Sequence, residues 1–154
     1  MTRIVGYSRL EKLYRTFLGL DLDKGRAEQI IDISSKKLED LFVAGVKRAY
    51  ARGSDVVEWI DLPITLALEE TINWYRRERE RLNDPRLDLQ PIVDYLLGRV
   101  RGLVLGESAR ENLQDLTATI LLLLGRVVKL VDPGVRKPSK EAIERAKQIL
   151  DLTI

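Results

Sequence analysis

The chain has 154 residues, of which 45% are hydrophobic and 32% are charged, so it can form one compact domain with a buried core. It contains no cysteine and no histidine. It therefore lacks thiolate chemistry, the commonest acid–base catalyst and the commonest metal ligand, which argues against zinc enzymes and catalytic-triad enzymes. The formal net charge is only +2, so binding to nucleic acid would need a local basic patch.

The composition and the N-terminal sequence also bear on heat adaptation and on cellular location. Many charged residues with few labile side chains are typical of heat-adapted proteins. The N-terminal stretch "MTRIVGYSRL" has no apolar signal core. The longest apolar run, "TATILLLLG", is too short to span a membrane. We therefore expect a soluble, cytoplasmic protein with no membrane partner.

The first half predicts three helices. Apolar residues at helical spacing predict a short helix over residues 8–18, with Ser8 as its N-cap. A long helix follows from about 24 to 52 and ends before Gly53, a residue suited to a left-handed backbone. The further apolar residues on this long helix predict that it is covered on two sides: Ile33, Val43, Val46 and Tyr50. A third helix is predicted to begin at Asp61 as its N-cap and to run to about residue 82.

The second half repeats this order. "DLQPIVDYLLGRV" predicts a short helix with Pro91 in its first turn. Its inward residues are predicted to be Ile92, Val93, Leu96, Leu97 and Val100. A long helix starts at Ser108, or at Glu107 just before it, and is apolar on more than one side. Ser139 is predicted to cap a final helix whose inward residues are Ala142, Ile143, Ala146, Ile149 and Leu150.

The chain is thus an internal repeat of pattern, short–long–short helices twice. Neither half can cover its own long helix, so we expect the two long helices to cross and bury each other. The sequence predicts one compact all-α domain over residues 1–154, with a first unit at 1–82 and a second unit at 83–154.

This order resembles the histone fold, doubled in one chain. In archaeal histones the second helix ends in Gly, and an apolar β position and an Asp that opens the third helix follow. Gly53, Val57 and Asp61 match those positions without a gap. The proteins it most resembles are small bacterial and archaeal tandem histone-fold proteins of unknown function. The resemblance implies an intramolecular handshake pseudo-dimer, with further association left open.

The same stretch departs from the family at the residues that touch DNA. Archaeal histones carry Arg-Lys-Thr where this chain has Ser54, Asp55 and Val56. In the family these residues contact phosphate, and the Arg also pairs with the Asp that corresponds to Asp61. We therefore expect both roles to be lost here. Asp21 stands where the family carries an Arg in the first loop.

The second half keeps more of the basic pattern. "RKPSKEAIERA" resembles the same loop, with Arg136 and Lys137 at the basic positions and Pro138 in place of Thr. Past that point the alignment needs a shift of one residue. Ala142 or Glu141 then takes the Asp position, which argues against an Arg–Asp pair in this half as well.

Two functions remain open. The first is a non-enzymatic histone-fold protein that acts as a structural or protein-interaction module. The alternative is nonspecific, histone-like DNA binding through phosphate contacts. The candidate DNA-binding residues are Arg136, Lys137, Lys140, Arg9, Lys12 and Lys24. No catalytic, cofactor-binding or metal-ligating residues are predicted: the adjacent Glu69 and Glu70 point to different faces of a helix.

Overall fold

The computed structural model describes residues 6–98 and 104–153. Within these residues the chain forms six α-helices and no β-strand, which confirms the all-α prediction. The order is short–long–short in each half. The helices are α1 (Tyr7–Leu18), α2 (Lys24–Ala51), α3 (Leu66–Leu82), α4 (Gln90–Leu97), α5 (Glu107–Val131) and α6 (Lys140–Thr153). In the described part of the chain, no helix is long and apolar enough to cross a membrane.

Helix α2 ends as its local sequence predicts. Gly53 has a φ of 84°, which costs glycine little because it has no Cβ. The N–H of Gly53 donates to the carbonyl oxygen of Tyr50 at 3.0 Å, and the N–H of Ser54 donates to that of Ala49 at 2.9 Å. These two bonds form a Schellman motif, which satisfies carbonyl groups that a helix end would otherwise leave open.

Two predicted N-caps are wrong. Helix α1 is capped by Gly6, with a φ of 77°, and Ser8 lies inside the helix. Helix α3 begins at Leu66 and is capped by Thr65, whose Oγ1 accepts from the N–H of Leu68 at 3.3 Å. Asp61 instead lies in a short 3-10 turn, Trp59–Asp61. Its carboxylate serves the preceding loop rather than α3, as described below.

Helix α5 lies at the centre of the molecule and contacts all five other helices. Leu121 and Leu122, on different sides of α5, are both fully buried, so the prediction that this helix is covered on more than one side is confirmed. The hydroxyl of Tyr14 donates to the carbonyl oxygen of Leu121, and burial raises the pKa of that hydroxyl.

Helix α2 is left uncovered along part of its length. Its buried face packs towards α1, α5 and α6. In contrast, Val43, Val46 and Tyr50 are 47%, 46% and 81% exposed. The prediction that α2 is covered on two sides is therefore wrong for these three residues, whereas Ile33, the fourth residue of that prediction, is partly buried against the core.

The short helices largely bury the residues predicted to face inward. In α4, Ile92, Val93 and Leu96 are buried and Leu97 is partly buried, whereas Val100 lies outside the described residues. In α6, the N–H of Ala142 donates to Oγ of Ser139 at 3.1 Å, which confirms Ser139 as the cap. Ile149, which was also predicted to face inward, is 41% exposed and does not face the core.

The loops at the ends of the two long helices lie side by side. Val57, after α2, forms a parallel bridge with Leu105, before α5. The N–H of Val57 donates to the carbonyl oxygen of Val104 at 2.9 Å. At the other end, the N–H of Asp21, before α2, donates to the carbonyl oxygen of Arg136, after α5, at 2.7 Å. The start of each long helix therefore lies near the end of the other, and the two helices run in opposite directions.

A close approach between α1 and α5 depends on Gly125. A Cβ at this position would lie 2.3 Å from Cδ1 of Leu18 and 2.9 Å from Cε2 of the buried Tyr14 ring. We predict that Gly125→Ala lowers the free energy of unfolding by about 1–3 kcal/mol, the usual cost of overpacking a core. Urea titration followed by circular dichroism measures this change.

Gly25→Ala is the matched control, because a Cβ there would meet only Asp23 Oδ1 at 3.5 Å. This variant should leave stability unchanged or raise it slightly. Equal stability of the Gly125→Ala variant and the wild type would contradict the described contact between α1 and α5.

Candidate nucleic-acid interface

The structure brings three of the candidate basic residues to one edge of the molecule. The loop after α5 lies against the start of α2, as the bond between Asp21 and Arg136 shows. Farther along, the side-chain amide of Gln29 in α2 donates to the carbonyl oxygen of Lys140 at 3.1 Å. Arg136, Lys140 and Lys24, the first residue of α2, therefore lie at a common edge, and Lys137 is in the same loop.

Asp21 joins this edge to helix α1. Its Oδ2 accepts from Nε of Arg136 at 2.8 Å, and its Oδ1 accepts from Nε of Arg15 at 3.0 Å. These two guanidinium groups, Arg136 first, hold the pKa of the Asp21 carboxyl below its usual range. Arg15 was missed by the sequence analysis, although it lies three residues after Lys12 and so on the same side of α1.

Arg9 and Lys12 continue along α1 from Arg15. Arg9 Nη1 donates to the carbonyl oxygen of Asp88 at 2.9 Å. Lys12 Nζ lies 3.8 Å from Oδ2 of Asp84. With Pro85, these α1 residues line one open groove. We name the basic edge by its members: Arg9, Lys12, Arg15, Lys24, Arg136, Lys137 and Lys140.

The members of the basic edge differ in whether they are neutralised locally. Arg15 and Arg136 share Asp21, and Lys12 faces Asp84. Lys24, Lys137 and Lys140 are exposed, and within residues 6–98 and 104–153 no ion pair involves them. Three free ammonium groups therefore stand beside a cluster whose charge its own carboxylates largely offset.

At the opposite edge, an Arg–Asp pair secures the loop after α2. Arg52 Nε donates to Oδ1 of Asp61 at 2.8 Å, and Nη2 donates to Oδ2 at 2.6 Å. The same Nη2 donates to the carbonyl oxygen of Val56 at 2.9 Å. The expected loss of this pair is wrong, because Arg52, two residues before the aligned position, supplies the guanidinium. An Arg at the C-cap directly before Gly53 was the sequence signal.

Asp61 is held as a carboxylate in this arrangement. It is 3% exposed and accepts a further bond from the N–H of Glu58 at 2.8 Å. The Arg52 guanidinium, and after it this backbone N–H, lower the pKa of Asp61 from 3.8 to about 2. A bidentate pair with an additional N–H donor fixes the loop geometry firmly.

Glu58 occupies the N-terminus of α5. Its carboxylate accepts from Oγ of Ser108 in the first turn, and that Oγ accepts from the N–H of Trp59 at 3.0 Å. A Cβ on Gly106, the N-cap of α5, would lie only 1.7 Å from Oε1 of Glu58. A helix N-terminus is a ready site for a phosphate, and at α5 the chain's own carboxylate fills this position. No local pattern in the sequence around Glu58 indicates this role.

A further carboxylate joins α3 to α5. Asp115 is 8% exposed and accepts from Nε of Arg76 at 2.7 Å and from Arg79. Through this bond Arg76 of α3 turns towards α5. Among the described residues, no three carboxylates are grouped so that they could hold a metal ion.

These features define a class: all-helical proteins with a long helix between shorter ones in each half. The family model described as "Domain of unknown function (DUF1931)" matches residues 10–151. The chain belongs to this family.

Relatives and solved structures are similar to this chain over nearly its whole length. Two uncharacterized proteins of Aquifex aeolicus (strain VF5) are 31% and 32% identical, covering 98% and 92% of this chain and 85% and 87% of their own length. A crystal structure from Thermus thermophilus is similar with a TM-score of 0.83 at 31% identity, covering 97% of this chain and 99% of that one. A crystal structure of an Aquifex aeolicus protein has a TM-score of 0.80 at 28% identity, covering 100% and 99%.

The pair between Arg52 and Asp61 predicts an acid-sensitive loop. A lowered folded-state pKa means that the ionised Asp61 stabilises the fold above pH 3.8, and that this stabilisation is lost as the pH falls towards about 2. We predict that Asp61→Asn removes this share of the pH dependence, so its stability changes less than that of the wild type over this interval. Urea unfolding at a series of pH values measures both curves.

Asp55→Asn serves as the control, because Asp55 is an exposed residue of the same loop and, in the described part of the chain, forms no ion pair. Its pH dependence should parallel that of the wild type. Parallel curves for the wild type and Asp61→Asn would count against the pair as the source of the effect.

Proposed function

We propose that the chain is a doubled histone fold, a single domain over residues 1–154 in which units 1–82 and 83–154 form a handshake pseudo-dimer. The exchange of contacts between the halves supports this. Helix α3 of the first half packs against α5 of the second, and α6 of the second half packs against α2 of the first. The pairing of loops at both ends of the long helices agrees with the same arrangement.

The proposed role is a non-enzymatic structural or protein-interaction module. One observation carries it: the chain's own carboxylates fill places where a histone-like protein would receive phosphate. Asp21 lies between Arg15 and Arg136, and Glu58 lies at the N-terminus of α5. A phosphate approaching either place would meet a negative charge at short range, and it would have to displace formed ion pairs or hydrogen bonds.

Nonspecific DNA binding is the second candidate, and a separate observation favours it. Lys24, Lys137 and Lys140 are exposed, and no ion pair with a described residue neutralises them. Together with Arg136 they face solvent from one edge. Three to four phosphate contacts would give weak binding that falls steeply with salt. The two candidate functions therefore differ in the affinity of the chain for DNA at low salt.

The test is a mobility-shift titration with a random-sequence DNA duplex at low and moderate salt. The proposed role predicts no shift of the wild type at low salt. The decisive variant is Asp21→Asn, which removes the carboxylate shared by Arg15 and Arg136 and leaves Arg15 its pair with Glu11 at 3.7 Å. We predict that this variant gains weak DNA binding that disappears as salt rises, because Arg136 then stands beside the exposed lysines without a neutralising carboxylate.

Asp151→Asn is the matched control, since it changes the net charge equally but removes a carboxylate that faces Lys37 and Lys147 towards the other end of α6. Equal shifts for the two variants would show that net charge alone governs binding. A salt-sensitive shift of the wild type would replace the proposed role with the DNA-binding candidate.

A further inference from the structure

Helix α2 presents an exposed apolar group in the middle of a charged surface. Val43, Val46 and Tyr50 fall at spacings of three and four residues, so they share one side of the helix. Tyr50 is 81% exposed, and the two valines are nearly half exposed. We call this surface the outer face of α2, formed by Glu39, Asp40, Val43, Val46, Lys47 and Tyr50. Tyrosine is among the residues that contribute most to interfaces, because it adds a large apolar area at low entropic cost.

The charges on the outer face change sign along the helix. Glu39 and Asp40 lie on the N-terminal side of Val43, and Lys47 lies on the C-terminal side. Asp40 and Lys47 lie three and four residues from Val43, about 4.5 and 6 Å along the axis in opposite directions, and seven residues apart, so both are on the same flank of this face. If two such helices lie antiparallel with both Val43 residues at the centre, each Lys47 comes beside an Asp40 of the other helix, whose carboxylate also lies 3.2 Å from Lys36 Nζ of its own helix.

We propose that a second copy of this chain docks on the outer face of α2, with the two α2 helices antiparallel about a two-fold axis at Val43. Such an axis pairs each surface with itself, so one patch must complement its own inverted image. The outer face meets this condition in charge, through Asp40 and Lys47, and it places Val43 and Val46 of both copies near the axis. Tyr50 also comes level with Lys36 of the second copy, a position for a cation–π contact.

The same features argue against the other occupants of such a face. A membrane surface would favour basic residues around the apolar group, whereas Glu39 and Asp40 lie directly beside it. The apolar area is small for a permanent interface, and stable interfaces bury roughly 800 Å² per partner. We therefore expect a reversible dimer whose population rises with protein concentration. This inference deepens the proposed interaction role by naming its partner, and it rests on that role.

The test is sedimentation equilibrium of the full chain over a wide concentration range. The wild type should show a concentration-dependent monomer–dimer equilibrium. Val43→Glu should weaken it by about tenfold or more, because the substitution places two carboxylates at the axis. Lys47→Glu should also weaken dimerisation, since it puts an acid beside Asp40 of the second copy. The double variant Asp40→Lys with Lys47→Glu should restore it, because the swap recreates the complementary pairs in reverse.

Leu130→Glu is the control, because Leu130 is 79% exposed on α5, close to the exposure of Tyr50. Its dimerisation should equal that of the wild type, and circular dichroism should show every variant folded. A wild type that stays monomeric throughout, or a double variant no better than Lys47→Glu alone, would overturn the antiparallel dimer. Such a result would leave the mobility-shift test of the proposed role unaffected, because that assay measures a different surface.

Discussion

The burial of α5 is the constraint on which the rest of the structure depends. This helix is apolar around most of its circumference, with Leu116, Leu121, Leu122 and Leu124 all fully buried. A helix of this kind must be enclosed, because each leucine left in water would cost about 1.5–3 kcal/mol. No set of neighbours from its own half suffices, so α1, α2 and α3 of the first half cover it together with α4 and α6.

Polar groups that lie against α5 or at the helix ends form hydrogen bonds or ion pairs within the chain. Tyr14 is fully buried against α5, and its hydroxyl is satisfied by a backbone carbonyl group of that helix. Asp115 faces α3 and is satisfied by the two arginines that α3 presents. At the helix ends, Glu58 and Asp21 satisfy donors that solvent anions would otherwise bind. A molecule that neutralises its own loops in this way has fewer free donors to offer to a polyanion.

Local features of the sequence predicted much of the fold. Gly53 and Ser139 act within one turn of chain, so their capping roles follow from neighbouring residues alone. The predictions that were wrong concern residues with more than one possible partner. Asp61 has the chemistry of an N-cap, but its carboxylate binds Arg52 and not the first turn of α3. Likewise, the apolar pattern of α2 correctly marks Val43 and Tyr50 as residues that favour contact, and it cannot say whether that contact lies within the chain.

The candidate site was harder to predict for the same reason. Arg136 was recognisable as a loop cation, but its partner Asp21 lies 115 positions away in the sequence. Glu58 is an ordinary acidic residue in the sequence, and its place at the start of α5 follows only from the pairing of two distant loops. Electrostatic neutralisation of this kind is a property of the folded surface, since it depends on distances that composition and spacing do not contain.

One consequence follows from joining the two long-helix halves in a single polypeptide. Where a pair of halves comes from two identical chains, any change in one loop appears at both ends, because the symmetry copies it. Here the end that contains Asp21 and Arg136 and the end that contains Val57 and Leu105 are encoded separately. Mutation can therefore alter one end while the other stays as it is. The two ends of the molecule are therefore chemically different, and an assembly that joined one end to the other would be polar.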